Sequence, residues 1–309
     1  MEVLTTNPAG NAHISADVQY RRPSTKRQPS FQISSIVPGE KIAKGGYGEV
    51  FEGIGGPPGL LVVIKRFEKR EDRDTEFQNL LSIQKAGPPH ASIVKAFGSH
   101  DNSSEHYILL RREGESLTSQ LKTICSAPWS EVLGNVGELL DGIRWLHELV
   151  GYHLDIKPGN ILSRHNGGYV LIDFGTLLPK DSSRNGEHCF NEYACRLDDK
   201  VGGWSDVWST GCVTMVILIW IAWGPEGISD FRDQRKSAQK HAESDGLVGN
   251  STPFFDLGTG VSPAVVNKLT ELGEEFPEKI PILWGMLEHD RNHRLAMKDA
   301  SLRWSGGLS

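Results

Sequence analysis

Residues 153–163 read HLDIKPGNILS, and residues 168–176 read GYVLIDFGT. The first stretch holds a carboxylate, Asp155, a cation two residues on, Lys157, and an amide, Asn160. The second places another carboxylate, Asp173, directly after the apolar run 170–172. Moving a phosphoryl group needs these parts. Asp and Asn supply the hard oxygen ligands that Mg2+ prefers. A carboxylate orients an attacking hydroxyl and takes its proton, and a cation offsets charge on the group in transit. Either stretch alone is a weak signal; the two in this order and at close spacing are specific.

Outward from this centre, the chain changes character twice. Residues 1–36 are rich in Thr, Asn, Ser, Pro, Gln and Arg, with few large apolar groups. Such a segment cannot bury enough surface to offset its ordering entropy and reads as a disordered tail. It contains RRPS (21–24) and KRQPS (26–30), where basic residues precede a serine. From Glu40 onward, KIAKGGYGEVFEGI, the break GGPPG and LLVVIKRF read as a β-hairpin of two strands. DTEFQNLLSIQKA (74–86) reads as an amphipathic helix with Leu80, Leu81 and Ile83 on one face. ASIVKAFGS and HYILLRR add two strands. After about residue 113, WSEVLGNVGELLDGIRWLHELV and the stretch through 207–223 have helical spacing. A small sheet-rich part therefore precedes a larger helical one, an α+β arrangement.

Bulk properties narrow the classes. The 309 residues are 38% hydrophobic and 23% charged, ordinary globular values with room for two lobes. A net charge of −6 gives no general attraction to nucleic acid or anionic membrane, so neither is expected as a partner. The four cysteines are scattered without a CxxC pair, which suits reduced thiols. The N-terminus lacks the basic start and apolar stretch of a signal peptide. The apolar run 212–223 is short of the roughly 20 residues a bilayer needs and reads as a buried core helix. A cytoplasmic or nuclear, monomeric protein is expected.

HLDIKPGN resembles the catalytic loop of the eukaryotic protein-kinase family, and Asp173-Phe174-Gly175 matches its magnesium motif. The resemblance implies a two-lobed fold, a β-rich lobe (37–110) before a helical one (113–305), within a domain spanning 37–305. It implies Mg2+ and ATP as cofactors and transfer of the γ-phosphate to protein substrates. Asp155 is then the base, Lys157 the contact to the γ-phosphate, and Asn160 and Asp173 the metal ligands. The DxKxxN spacing resembles serine/threonine kinases. AKGGYGEV resembles the family's glycine-rich loop: Gly45, Gly48 and Val50 match, Tyr47 stands at the tip, and Ala43 replaces the first glycine. VVIK resembles the strand whose lysine, here Lys65, meets the α- and β-phosphates, with Glu76 as its helix partner. In YILLRREGESL, Leu109 matches the gatekeeper and residues 110–112 the adenine-side backbone. Val50, Val63 and Leu162 are expected around the adenine. SDVWSTG (205–211) resembles a late motif whose aspartate, Asp206, braces the catalytic loop, and Asp290 and Arg294 match a further one. The SDVWSTG motif disfavours the small-molecule phosphotransferases.

Four departures stand out. Leu154 replaces the arginine before the catalytic aspartate, so a switch that reads a phosphorylated loop, for which Ser182 and Ser183 would be the sites, loses its receptor. Ala194-Cys195-Arg196 stands where the family has APE, and Arg196 would repel Arg294 unless Asp198 or Asp199 compensates. Cys189 stands near the place of a usual threonine. Ala43 is the fourth. None removes a group expected on phosphate or metal, which favours an active kinase over a pseudokinase scaffold. Thr176, β-branched and directly after the magnesium motif, resembles the type that favours threonine acceptors.

Overall fold

The computed structural model describes residues 36–44, 48–55, 60–101, 105–164, 167–180, 182, 192–194, 201–239, 253–256 and 260–306. The tail (1–35), Gly45, Tyr47, Ser183, Cys189, Cys195, Arg196, Asp198 and Asp199 lie outside them. The chain divides into two compact units, Met1–Lys85 with Val94–Glu113, and Ala86–Ile93 with Gly114–Ser309.

The first unit is a five-stranded antiparallel sheet with one helix. In chain order come β1 (Val37–Lys44), β2 (Gly48–Ile54), β3 (Val62–Phe67), α1 (Arg70–Ala86), β4 (Ala96–Asp101) and β5 (His106–Arg111), the strands lying in the order β1-β2-β3-β5-β4. Three strands thus stand where the sequence pattern predicts two. β1 and β2 pair antiparallel, so the chain reverses between Lys44 and Gly48. Helix α1 starts four residues before the predicted Asp74, with Glu71 and Asp72 in its first turn, where negative charge is favoured. Its buried face is Arg73, Glu76, Leu80 and Ile83; Leu81 is only partly covered. Ile36, Val62, Ile64, Tyr107 and Leu109 form a buried apolar cluster on one face of the sheet, with Phe51, Leu60 and Phe97 against it.

The second unit is mainly helical. Its elements are α2 (Leu117–Gln120), α3 (Trp129–Leu149), β6 (Gly151–Tyr152), β7 (Ile161–Ser163), β8 (Tyr169–Leu171), β9 (Leu178–Pro179), α4 (Gly203–Gln239), β10 (Phe255–Asp256), β11 (Gly260–Val261), α5 (Pro263–Glu275), α6 (Ile280–Met286) and α7 (Met297–Trp304). In α3, Val132, Val136, Leu139, Leu140, Ile143 and Leu146 recur at helical spacing and are all buried. Burying each such Leu or Ile is worth about 1.5–3 kcal/mol. Helix α4 is broken at Gly224, whose φ is 67°, with Pro225 next. It is the one helix among the described residues long and apolar enough to cross a membrane, yet 83% of that apolar window is buried within the protein. It packs on α5 and α6.

Residues 86–93 belong to this unit because polar contacts tie them to α3 and β8. Ser92 Oγ donates to the Glu138 carbonyl at 3.0 Å, and the Leu171 N–H donates to the Ser92 carbonyl at 2.8 Å. His90 Nε2 meets Asp141 at 3.1 Å. Asp141 also takes two bonds from Arg144. Burial raises its pKa, but the Arg144 and His90 bonds outweigh that and leave it below the usual range.

Two glycines of α3 test this packing. A Cβ on Gly142 would lie 2.7 Å from Ser92 Cβ and 3.0 Å from His90 Nδ1, whereas one on exposed Gly134 meets nothing within 4 Å. Gly142→Ala is expected to destabilise by roughly 1–3 kcal/mol through overpacking. Gly134→Ala is expected to stabilise by about 0.5–1 kcal/mol through helix propensity. Urea unfolding of both variants checks the opposite signs.

Candidate active site

Each unit carries one set of the residues singled out in the sequence. In the first, strand alternation puts Lys65 on the sheet face that meets α1. Lys65 Nζ donates to Glu76 Oε2 at 2.6 Å, and both side chains are buried. Removing one partner of such a pair costs about 3–5 kcal/mol because it strands a buried charge. Val50 opposes Lys65 across β2 and β3, and Ala43 opposes Val50. Val63 lies two residues from Lys65, so these residues share one face. Val50 and Val63 are apolar yet only partly covered. Gly48 opens β2 where a Cβ would lie 1.9 Å from the Arg66 carbonyl, so the strands approach there as only glycine permits.

Leu109 departs from its expected place. It opposes Ile64, and both belong to the buried cluster on the other face. Leu110 opposes Val63 and Ile108 opposes Lys65. The residue of β5 on the Lys65 face at this level is therefore Leu110, one position later than the sequence resemblance placed it. The N–H groups of Arg111 and Arg112 are also already used, by the carbonyls of Lys95 and Leu61 at 2.9 Å each.

In the second unit the residues around Asp155 converge. Asp155 Oδ2 accepts from Lys157 Nζ at 2.6 Å and from Asn160 Nδ2 at 2.9 Å. Asn160 Nδ2 also reaches the Asp155 carbonyl at 2.9 Å. The amide nitrogen is thus spent on Asp155, which turns Oδ1 to the other side of the Asn160 side chain as a neutral oxygen donor. The Ile172 N–H donates to the Asn160 carbonyl at 3.0 Å, which ties the strand before Asp173 to this loop. Asp173 has a left-handed backbone, φ 66° and ψ 75°, and leads into the short turn Phe174–Thr176. Leu162 lies on β7, opposite Val170, and is half-buried.

The loop's own geometry is held from below. His153 is fully buried; its Nδ1 accepts from the Asp155 N–H and its Nε2 donates to the Ile172 carbonyl. Phe174 packs edge-on against its ring at 4.9 Å. Thr176 Oγ1 donates to the His153 carbonyl at 2.8 Å. The fully buried Asp206 accepts from the His153 N–H at 2.7 Å and the Leu154 N–H at 2.8 Å, as the SDVWSTG resemblance implies. It takes a third bond from His147 Nε2 at 2.9 Å. Sequence reading passed over His147, whose only signal is its place in the last turn of α3.

The oxygen donors of Asn160 and Asp173 fit Mg2+, which usually takes one or two side-chain ligands and fills its octahedron with water and phosphate oxygens. The late motif also differs in detail from expectation. Arg294 donates to the carbonyls of Glu288, Trp204 and His289 at 2.7, 2.9 and 3.1 Å. Asp198 and Asp199, the carboxylates expected to compensate for Arg196, lie outside the described residues; close to Ala194, Glu192 pairs with Arg235.

Comparison with known proteins agrees with this architecture. A family profile described as protein kinase domain matches residues 36–302. A probable serine/threonine-protein kinase of Dictyostelium discoideum is 32% identical over 209 residues, covering 63% of this chain and 32% of its own length. MAP3K epsilon protein kinase 2 of Arabidopsis thaliana is 31% identical over 285 residues, 87% of this chain and 20% of that protein. Cell division control protein 7 of Schizosaccharomyces pombe is 29% identical over 196 residues, 61% of this chain and 18% of that protein. The chain spans a third or less of these relatives' length. With a sheet unit, a helical unit and the family profile along most of its length, the chain belongs to the protein kinase family.

Proposed function

We propose that this protein is an active kinase that moves the γ-phosphate of Mg-ATP to serine or threonine hydroxyls of protein substrates. The observation that carries the reading is Asp155, a carboxylate gripped by Lys157 and Asn160 on a loop whose backbone Asp206 braces. Bound Mg2+ supplies charge neutralisation at the phosphates. Asp155 accepts the proton of the incoming hydroxyl and aligns its oxygen for in-line attack. Lys157, already 2.6 Å from Asp155, balances negative charge on the transferred group. Asn160 and Asp173 hold the metal. Lys65, aimed by Glu76, receives the α- and β-phosphates; Ala43, Gly48 and Val50 are the described residues of the glycine-rich loop that would cover them, and Gly45 joins them by the family resemblance alone. Val50, Val63 and Leu162 flank the adenine. Leu110 takes the gatekeeper role in place of Leu109.

The runner-up is a pseudokinase that binds nucleotide without transfer. Retention of Lys65, Asp155, Lys157, Asn160 and Asp173 disfavours it.

Transfer of labelled γ-phosphate to a histone mixture tests the reading directly. Wild type is expected to label serine or threonine, and Asp173→Asn to abolish labelling while its melting temperature is kept. Asp155→Asn is expected to slow transfer by about 10²–10⁴-fold, the range of general-base loss. A folded, ATP-binding wild type that labels nothing favours the pseudokinase.

The reassigned gatekeeper has its own test. Leu110→Phe is expected to raise the KM for ATP about tenfold or more with little effect on melting. Leu109→Phe is expected to lower the melting temperature by overpacking, a cost of roughly 1–3 kcal/mol, with the KM nearly unchanged. The reverse pattern restores Leu109.

Thr176 spends its hydroxyl on the His153 carbonyl, which fixes its side chain. A peptide pair differing only in the acceptor is expected to favour threonine over serine; equal or serine-favouring rates refute that role.

A further inference from the structure

Residues 192–194 form a turn held to α4 at two points. Ser209 Oγ donates to the Tyr193 carbonyl at 2.8 Å. The Glu192 carboxylate meets Arg235 at 3.3 Å. Arg235 lies beyond the break at Gly224, and its side chain is only 3% exposed. Its guanidinium sits 4.1 Å from the ring centre of Phe254 and 4.8 Å from that of Phe231, both fully buried. The Tyr193 ring lies 5.7 Å from Phe254 and completes the surround. Burial lowers the Arg235 pKa against the opposing pull of Glu192, and burial raises that of Tyr193.

A guanidinium this deep costs several kcal/mol to desolvate, and a buried ion pair replaced as a whole by apolar side chains is often as stable or more so. Stacking on two rings returns only part of that, about 1–2 kcal/mol per contact when desolvated. The charge is better explained by what it holds. The same helix carries Asp206, which fixes the backbone beside Asp155, and Ser209, which fixes Tyr193. The chain that leaves Asp173 is tied at its start by Thr176 on the His153 carbonyl and at its end by Glu192 on Arg235.

We propose that Arg235 is a positioning residue that, through Glu192, registers residues 192–194 against the Asp155 loop and so sets the seating of protein substrate without touching nucleotide. Arg294 donates to the carbonyls of Glu288, Trp204 and His289, whereas Arg235 is the arginine that meets Glu192. The inference rests on the kinase reading for its effect on substrate, while the anchor itself is independent of that reading.

The test compares Arg235→Met, Arg235→Lys and Glu192→Gln with wild type. Four quantities are measured: melting temperature, affinity for a fluorescent ATP analogue, KM for the histone mixture, and amide exchange at Tyr193 and Ala194. Arg235→Met takes the guanidinium away from the Glu192 carboxylate and is expected to melt below wild type while staying folded, and to bind nucleotide within twofold. Its histone KM should rise at least tenfold, and exchange at 193–194 should quicken at least tenfold. Arg235→Lys should recover part of both losses, and Glu192→Gln should follow Arg235→Met. A folded Arg235→Met with normal KM and exchange overturns the proposal, as does a loss of nucleotide affinity that matches the rise in KM. If wild type transfers no phosphate, the kinase reading fails by itself, and the exchange rates alone decide whether Arg235 is the anchor.

Discussion

The second unit depends on one buried carboxylate. Asp206 has no exposed surface and sits in the first turn of α4. Burying a carboxylate costs several kcal/mol, and charge-assisted hydrogen bonds of about 1.5–3 kcal/mol each are what offset it. Three such bonds arrive, from the His153 and Leu154 N–H groups and from His147. They also hold Leu154 at φ 65°, a left-handed conformation that a residue with a Cβ adopts at a cost of roughly 1–2 kcal/mol. Asp155 follows directly, so its direction is set by a residue more than fifty positions away. The loop's shape is a property of the helix beneath it.

The first unit solves a similar problem by strand register. Five antiparallel strands put apolar groups on both faces, and one face carries a cation that the sheet alone cannot satisfy. Glu76 on α1 meets Lys65 there, and neither side chain retains much contact with water. A pair of this kind is weak support for stability and strong support for orientation, because its value lies in a fixed direction for the ammonium group. On the sheet face opposite Lys65, Glu49 bridges Lys41 and Arg66, and those two cations pull its pKa down to about 2.

Chemistry was more legible than phase. Asp155, Lys157, Asn160 and Asp173 could be named because their spacing is local, and Asp206 because its motif is contiguous. Leu109 could not be placed from the string. Residues 107–110 are all apolar and all buried, so the run has no alternation from which to choose a face. Only the pairing of Ile64 with Leu109 settles it. The glycine stretch hid a chain reversal for the same reason, since β1 and β2 read as one pattern until they are paired. Glu192 was missed because its partner lies 43 residues on, past the break at Gly224, where no local motif points to it.

Helix α4 also bears on how the protein comes into being. From Cys212 to Ile221 every side chain is buried, so the segment has no polar face to show water. The helices that cover it, α5 and α6, follow it in the chain. During synthesis this stretch leaves the ribosome before its cover exists. For that interval it is an exposed apolar segment of the kind that holding chaperones bind. Successful biogenesis therefore turns on a race between capture of α4 and the arrival of the C-terminal helices.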